Sequence, residues 1–552
     1  MRASRSITVS LLLCAVCLPM PGLGAAAPNE ALRERIDAIR YAPGSMVGTD
    51  RIFSTRVLPE LYERREFAPL WSAPGAEAGL LEAIKAADQD GLDPADYHFT
   101  ALTRPLAPGD AARATRDILL TDAFLGLLYH LRKGKVDPVS LDPHWNYGGD
   151  LTVDDAIVDR LATAIATGNV AAAIAEARPS YPLYSELRRA LLEHREIERA
   201  GGWPSVAPGP TLKVGMADAR TEALRARLAV TDRASTVAPD PQLLDADLMD
   251  AVRRFQRRHR IAADGAVGPA TLRELNTSVR ERIDQLSVNL ERVRWVPASA
   301  ASEYVLVDVA GFRVSLVRDN AVAWRARAVV GRPYRKTPIF SSEITYVVVN
   351  PTWTIPPGIL GKDTLPAIRR DLGYLARNEM EVVDRNGRVL DPANVDWDRY
   401  SGGTFPYMIR QRPGPQNSLG RVKIMFPNQH FVYLHDTPAR DLFERDARAF
   451  SSGCIRVERP FELVELLLDD SARWNQATLD GIVASGTTRT ITLPRPVPVV
   501  ILYWTAEVDE LGRHVFKPDV YERDAGVLAA LNRDFDWGQR RIERQVGVGA
   551  SP

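Results

Sequence analysis

The chain has 552 residues, with 70 Lys+Arg against 70 Asp+Glu, 45% hydrophobic residues, 39 prolines and three cysteines. That length corresponds to roughly three or four domains, each large enough to bury a core. A formal net charge of zero without a Lys/Arg block excludes a nucleic-acid binder driven by counterion release, and three cysteines are too few for a disulfide scaffold.

Residues 1–27 read as a secretory signal peptide. Arg2 and Arg5 form a basic start, residues 7–18 an apolar core interrupted by Thr8 and Ser10, and Ala25, Ala26 and Ala27 the small residues before a cleavage point. The apolar run is shorter than the roughly 20 residues a membrane helix needs, and Pro19 and Pro21 end it, so no stable membrane span is expected. Cys14 and Cys17 fall inside the leader, and the Leu expected three positions before a lipid-bearing Cys17 is missing. Export therefore leaves Cys454 as the sole thiol and, with Arg2 and Arg5 gone, 68 basic against 70 acidic residues, a net charge of −2. In an oxidising compartment such a thiol links partners, lies inert in a core or acts as a nucleophile.

Residues 28–210 are expected to form a helical scaffold. Leu80, Ile84 and Ala87, then Ile118, Leu119, Ala123 and Leu127, recur at the three- and four-residue spacing that lines one helix face. Asp90-Gly91, Asp93-Pro94, Gly134-Lys135 and Asp137-Pro138 punctuate the helices. His98, His130 and His144 are scattered, as surface or capping histidines are, and do not suggest a metal site.

After the Gly/Pro cluster at 201–210, residues 211–278 read as a small three-helix unit. Leu248, Val252 and Phe255 share a face, and Pro269 opens a helix carrying Leu272 and Leu275. The intervening Asp264-Gly265 turn lacks the acidic ladder of a calcium loop. Phe255-Gln256, Asp264-Gly265, Gly268-Pro269, Thr271-Leu272 and Leu275-Asn276 together resemble the three-helix peptidoglycan-binding domain of cell-wall enzymes.

From residue 303 the period changes to two. Runs at 304–309, 312–317, 324–330 and 344–350 predict a mainly antiparallel sheet, and strand signals return at 422–425, 431–434 and 499–504. Between about 358 and 406 a helix carrying Leu365, Ile368, Leu372 and Leu375 and a hairpin at Asn386-Gly387 interrupt the sheet, reading as an inserted cap. Residues 501–552 form a C-terminal extension with a helix near 525–531 and a polar tail. The whole is multidomain α+β: helical scaffold, three-helix unit, and a mainly antiparallel β domain over 303–500 with the inserted cap.

Chemistry concentrates in one segment. His435 ends a predicted strand, and Cys454 follows nineteen positions later within Ser451-Ser452-Gly453-Cys454-Ile455-Arg456-Val457. An imidazole beside a thiol stabilises the thiolate as an ion pair and later donates a proton to a leaving amine. Gly453 permits close backbone approach, and the peptide N–H groups around Cys454, from Ser452 and Gly453, are natural oxyanion donors. A helix starting near Pro460, with Phe461, Val464 and Leu467 inward, directs its positive end and Arg456 toward a thiolate.

These residues resemble the L,D-transpeptidase catalytic domain of YkuD type, whose signature is a histidine, about fifteen residues, then Ser/Thr-His-Gly-Cys and an apolar residue. Here Ser452 stands where the second histidine is usual. Val330-Gly331 with Thr337-Pro338, Asn350-Pro351-Thr352-Trp353, and Asn417-Ser418-Leu419-Gly420 with Lys423 look like that family's other strand and loop motifs. The layout is similar to the large capped subgroup of Gram-negative envelopes. The resemblance implies that Cys454 is the acyl-accepting nucleophile and His435 its base and acid. It also implies peptidoglycan stem peptides as partners, with other cell-wall synthesis enzymes beside them, no cofactor, a periplasmic location, and slow acylation by carbapenems. Tyr433, two positions before His435 on the same strand face, contacts substrate or packs the sheet; Trp353 lines the cleft or the core; Arg456 binds a carboxylate or is structural; Ser451, beside the turn, is a further candidate substrate contact.

The competing readings are weaker on the residues. Zinc on His430, His435 and Cys454 lacks a fourth ligand, and His430 is expected on the other strand face. Ser451 and Ser452 lie in no Gly-x-Ser-x-Gly elbow. An L,D-carboxypeptidase, a lipoprotein-anchoring enzyme and a non-catalytic wall-binding scaffold use the same domains.

Overall fold

The computed structural model describes residues 29–41, 46–55, 57–143, 145–146, 155–296, 302–319 and 321–535. The leader with Cys14 and Cys17, His144 and the polar tail beyond 535 lie outside the described residues.

The first part is helical, with α1 (Glu30–Tyr41), α2 (Ala76–Lys85), α3 (Asp110–Lys133), α4 (Val170–Ala177) and α5 (Pro182–Arg199). Leu80, Ile84, Ile118 and Leu127 meet Leu32 and Ile36 in one core, as the helical spacing requires. Helix α3 is buried on nearly every side, so its polar groups need internal partners. This corrects the expectation for two histidines. His98 and His130 are buried: His98 Nε2 lies 2.8 Å from Asp122 of α3, and His130 Nδ1 lies 2.9 Å from the Tyr97 hydroxyl.

Helices α6 (Arg220–Asp232), α7 (Ala246–Arg258) and α8 (Pro269–Asn276) pack around Leu224, Leu228, Leu248, Val252, Phe255 and Leu275. The Asp264-Gly265 turn is held from inside, since Gln256 donates to Asp264 and accepts from the Gly265 N–H at 2.9 and 2.8 Å. A capping box of Ser278 and Glu281 opens α9 (Val279–Arg294). Helix α5 leaves the first core and packs on α9 through Tyr184, Leu187, Leu191, Ile283, Leu286 and Leu290.

Strands β1 (Glu303–Asp308), β2 (Arg313–Arg318), β3 (Ala321–Gly331) and β4 (Ser341–Val349) precede the insertion. The insertion contributes β5 (Trp353–Thr354), α10 (Leu365–Arg370), α11 (Gly373–Arg377), β6 (Met380–Val383), β7 (Val389–Leu390) and β8 (Met408–Gln411). There follow β9 (Val422–Met425), β10 (Leu434–His435), β11 (Ala449–Ser451), β12 (Ile455–Val457), α12 (Pro460–Leu468), α13 (Gln476–Ala484) and β13 (Arg489–Leu502). Past the sheet, the described residues add the hairpin β14 (Ala506–Val508) and β15 (His514–Phe516), then α14 (Asp524–Leu531).

The nine-stranded sheet runs β11-β3-β12-β10-β9-β4-β13-β1-β2, and β2 pairs back to β3, closing the circuit. Most pairs are antiparallel; β10 with β12, β13 with β1 and β11 with β3 are parallel. Alternate residues Val305, Val307, Val314, Leu316, Val347, Val349, Val422, Ile424, Ile455 and Val457 fill the core with Phe461, Val464 and Leu467 of α12. The insertion has a sheet of its own, β5-β8-β6-β7, and its own core around Leu365, Ile368, Leu375, Val382 and Ile409. Strands β5 and β8 flank the expected 358–406 span and pair with each other, closing the insertion at its base.

Two strand expectations are corrected. The run at 431–434 reduces to Leu434–His435, because Asn428 Oδ1 accepts from the His430 and Val432 N–H groups and holds a turn in which Phe431 has φ 54°. His430 therefore lies in that turn and not on a strand. The sheet's final strand runs from Arg489 to Leu502, so Ile501 and Leu502 complete the nine-stranded sheet and Trp504 lies beyond it.

His194 of α5, His259 at the end of α7 and His514 of β15 meet at a junction, with His194 and His514 rings 5.3 Å apart. Burial, then neighbouring positive groups including Arg258, keeps them neutral: His194 is pushed down to about 4, His514 to about 3, and His259 well below the usual range. Folded pKa values lie below the unfolded value of about 6.5, so between them the unfolded chain binds more protons. Stability is thus full above pH ~6.5 and lost as pH falls below it. Each histidine is expected to cost about 1.4 kcal/mol at pH ~5.5. Calorimetric unfolding at pH ~5.5 and ~7.5 checks this; equal midpoints refute it.

Candidate active site

Strand register builds the site. In the parallel pair β10–β12, Leu434 lies opposite Ile455 and His435 opposite Arg456, so Tyr433 comes opposite Cys454. The Ile455 N–H donates to the Tyr433 carbonyl at 3.1 Å. On the other side of β10, antiparallel β9 brings Lys423 opposite His435. Paired residues share a sheet face. Since Ile424, Leu434 and Ile455 take the core side, Lys423, Tyr433, His435, Cys454 and Arg456 share the opposite one.

Cys454 is half-buried and its Sγ lies 3.7 Å from the Phe431 carbonyl. Tyr433 stands beside Cys454 in the strand register, and Trp353 packs against both the main core and the insertion. Burial holds the Tyr433 phenol far above its ordinary range, so it is a donor. His435 is buried, with Nδ1 2.5 Å from the Asp436 carbonyl. A carbonyl only accepts, so Nδ1 carries the proton and Nε2 is the bare, basic nitrogen. Burial, then Arg456 and, more weakly, Lys423, pushes His435 down to about 3 against the opposing carbonyls of Asp436 and Leu419. Burial pushes the Cys454 thiol up, while Tyr433, Lys423 and Arg456 pull the other way. Both shifts favour the uncharged forms, thiol and neutral imidazole, over the expected ion pair. Strand β12 separates Cys454 from the start of α12, so the cations acting on the sulfur are Lys423 and Arg456.

The turn before Cys454 is braced from three sides. Ser451 Oγ donates to the Cys454 carbonyl at 2.6 Å and accepts the Gly453 N–H at 3.1 Å, so that N–H, expected as an oxyanion donor, is engaged at rest. Gly453 has φ 119°, which other residues rarely adopt. Its carbonyl accepts from Thr337 Oγ1 at 2.8 Å, and Thr337 Oγ1 accepts the Gly331 N–H at 2.9 Å. Beneath lies Tyr521 of the C-terminal extension, whose hydroxyl donates to the Gly331 carbonyl at 2.7 Å and accepts the Thr337 N–H at 3.1 Å. Exposed Ser452 accepts from Arg335 at 2.8 Å, and Arg335 pairs with Asp363 of the insertion at 2.6 Å. Arg456 Nε is buried without a hydrogen-bond partner.

Thr337 and Tyr521 carry no signal of a role in the sequence beyond the Thr337-Pro338 motif. Thr337→Val keeps the shape but strands the buried Gly331 N–H and loosens Gly453. It is expected to cost about 1–3 kcal/mol of stability and about 10- to 100-fold in turnover. Denaturant unfolding and steady-state kinetics check this; unchanged kcat refutes the brace.

Residues 302–501 match the family described as the L,D-transpeptidase catalytic domain. That stretch of the chain is similar to an L,D-transpeptidase catalytic domain. Residues 220–275 match a "Putative peptidoglycan binding domain" and residues 56–191 a scaffold domain. A Haemophilus influenzae protein named "Putative L,D-transpeptidase" is 35% identical over 261 residues, 47% of this chain and 52% of that protein. The chain thus matches about half the length of that curated relative. Solved L,D-transpeptidase structures are also similar. That from Stackebrandtia nassauensis is 13% identical, covering 54% of this chain and 96% of its own, with TM-score 0.20. That from Xylanimonas cellulosilytica is 14% identical, covering 54% and 100%, with TM-score 0.18. At these scores the assignment of the L,D-transpeptidase domain rests on the sequence matches.

Proposed function

We propose that this chain is a cysteine-dependent L,D-transpeptidase that joins peptidoglycan tetrapeptide stems by 3→3 cross-links. The observation carrying the reading is the shared face of Cys454, His435 and Tyr433, with the basic Nε2 of His435 unprotonated. Cys454 Sγ attacks the carbonyl of the third stem residue as its proton passes to His435. Collapse expels the terminal D-amino acid, whose amine takes the proton back, and leaves a thioester. The side-chain amine of a second stem then attacks the thioester and releases the thiol.

Tyr433 supplies an O–H donor beside the sulfur, Trp353 walls the cleft from the insertion, and the orphaned Arg456 fork suits a stem carboxylate. Ser451 and Gly453 shape the turn, and Ser452 ties it to the insertion through Arg335. Water in place of the amine makes the same site a carboxypeptidase, and a lipoprotein amine makes it an anchoring enzyme. The peptidoglycan-binding domain supports a polymeric substrate and a periplasmic site of action, and no helix among the described residues is long and apolar enough to cross a membrane. Incubation with disaccharide-tetrapeptide, with products read by mass spectrometry, tests the reading: absence of dimers, trimmed stems and thioester alike rejects it.

A further inference from the structure

Lys423 belongs to the active face without a part in the chemistry above. Its ammonium lies 3.9 Å from the centre of the Tyr433 ring, and Tyr433 stands beside Cys454 in the register of the neighbouring strand. Lys423 and Arg456 are both half-buried, and neither has a carboxylate partner among the described residues. Several buried cations elsewhere are ion-paired, Arg294 with Glu291, Arg258 with Asp232, and Lys517 with Asp308 and Glu507, while buried Arg227 donates to the Leu275 carbonyl and Thr231 and lies over Trp203. A desolvated cation without an anion is unfavourable, so two on one face point to negative charge that arises there during the reaction.

The other groups on that face narrow the choice. His435 is held neutral by burial and by these same cations, so it does not balance a charged sulfur at rest. Tyr433 stays protonated, and Arg332 adds only more positive charge beside Arg456. Arg456 presents an unpartnered Nε and a fork suited to a carboxylate, whereas Lys423 sits on the ring that leads to the sulfur.

We propose that the Lys423 ammonium is the counter-charge of the Cys454 thiolate, acting across Tyr433 from two strands away. This rests on reading Cys454 as the nucleophile. Lys423 forms no bond and keeps its proton; the proton leaving the sulfur goes to His435 Nε2. Lys423 is thus a positioning residue for charge.

Alkylation of Cys454 by iodoacetamide between about pH 6 and pH 10, followed by mass spectrometry of the Cys454 peptide, reads thiolate formation without turnover. In Lys423→Met the midpoint is expected to rise by about one pH unit, with the rate at pH ~7.5 down about tenfold. Lys423→Gln is expected to match it and serves if methionine disturbs folding, and Lys423→Arg should stay within about twofold of wild type. Superimposable wild-type and neutral-variant profiles overturn the proposal, as does an arginine variant as slow as the neutral ones. A neutral variant that changes only KM for the tetrapeptide also overturns it, making Lys423 a substrate contact. Because alkylation needs no turnover, failure of the transpeptidase assay and failure of this proposal are separate results.

Discussion

Cys454→Ala is expected to produce no cross-linked dimer, no trimmed stem and no thioester, a loss of about 10⁴-fold or more in turnover. No neighbouring group replaces the sulfur: Ser451 is committed to the Cys454 carbonyl and the Gly453 N–H, and Ser452 to Arg335. His435→Asn should retain the thiol yet lose about 10²- to 10⁴-fold, because no other base stands at Nε2. The pH profile separates two mechanisms. A preformed thiolate–imidazolium pair loses activity as its thiolate is protonated. A neutral pair, with His435 pushed down to about 3 and the thiol pushed up, gives a flat acylation rate between about pH 5.5 and 8 in protein that remains folded. Stopped-flow acylation by a carbapenem, which reads the first step alone, distinguishes them; an acidic limb near pH ~6.5 would sink the neutral-pair account.

The placement of His435 and Cys454 on one sheet face was legible because its parts are local. His435 ends a β-rich run and Cys454 sits in a Ser/Gly turn, and two strands in register bring them to one face. What supports the pair was not legible, because it arrives through long-range pairing. Thr337 braces Gly453 from 116 positions away and Tyr521 meets Thr337 across 184. Lys423 gains its place only through the register of β9 against β10. The 431–434 run misled for a different reason: its β-rich composition is overruled by Asn428, whose side chain takes backbone donors a strand would use. Helix α9 has no counterpart among the elements expected from the sequence. Its Arg- and Glu-rich sequence has the look of a solvated helix, yet Arg282, Glu291, Arg292 and Arg294 are all buried.

That helix carries the second large effect. Arg294→Met is expected to destabilise the protein by about 3–5 kcal/mol, because it leaves fully buried Glu291 without its cation. Arg294 donates to Glu291 at 2.7 Å, to the Tyr184 hydroxyl of α5 at 3.1 Å, and to the Asp90 carbonyl. Glu291 in turn accepts the Val136 N–H at 2.7 Å, so one charge pair joins α9 to three parts of the helical region. The other side of α9 holds the C-terminal extension: Asn289 exchanges two 2.8 Å hydrogen bonds with Thr505, and Arg292 pairs with Asp524 at 2.6 Å. From there Tyr521 reaches the loop beneath Gly453, so the scaffold and the nucleophile turn are connected through this helix. The double variant Arg294→Met with Glu291→Leu removes both charges and should recover part of the loss. Denaturant unfolding of the wild type, the single and the double variants decides it. A single variant within about 1 kcal/mol of wild type, or a double variant no better than the single, would show that the pair is not what fastens α9.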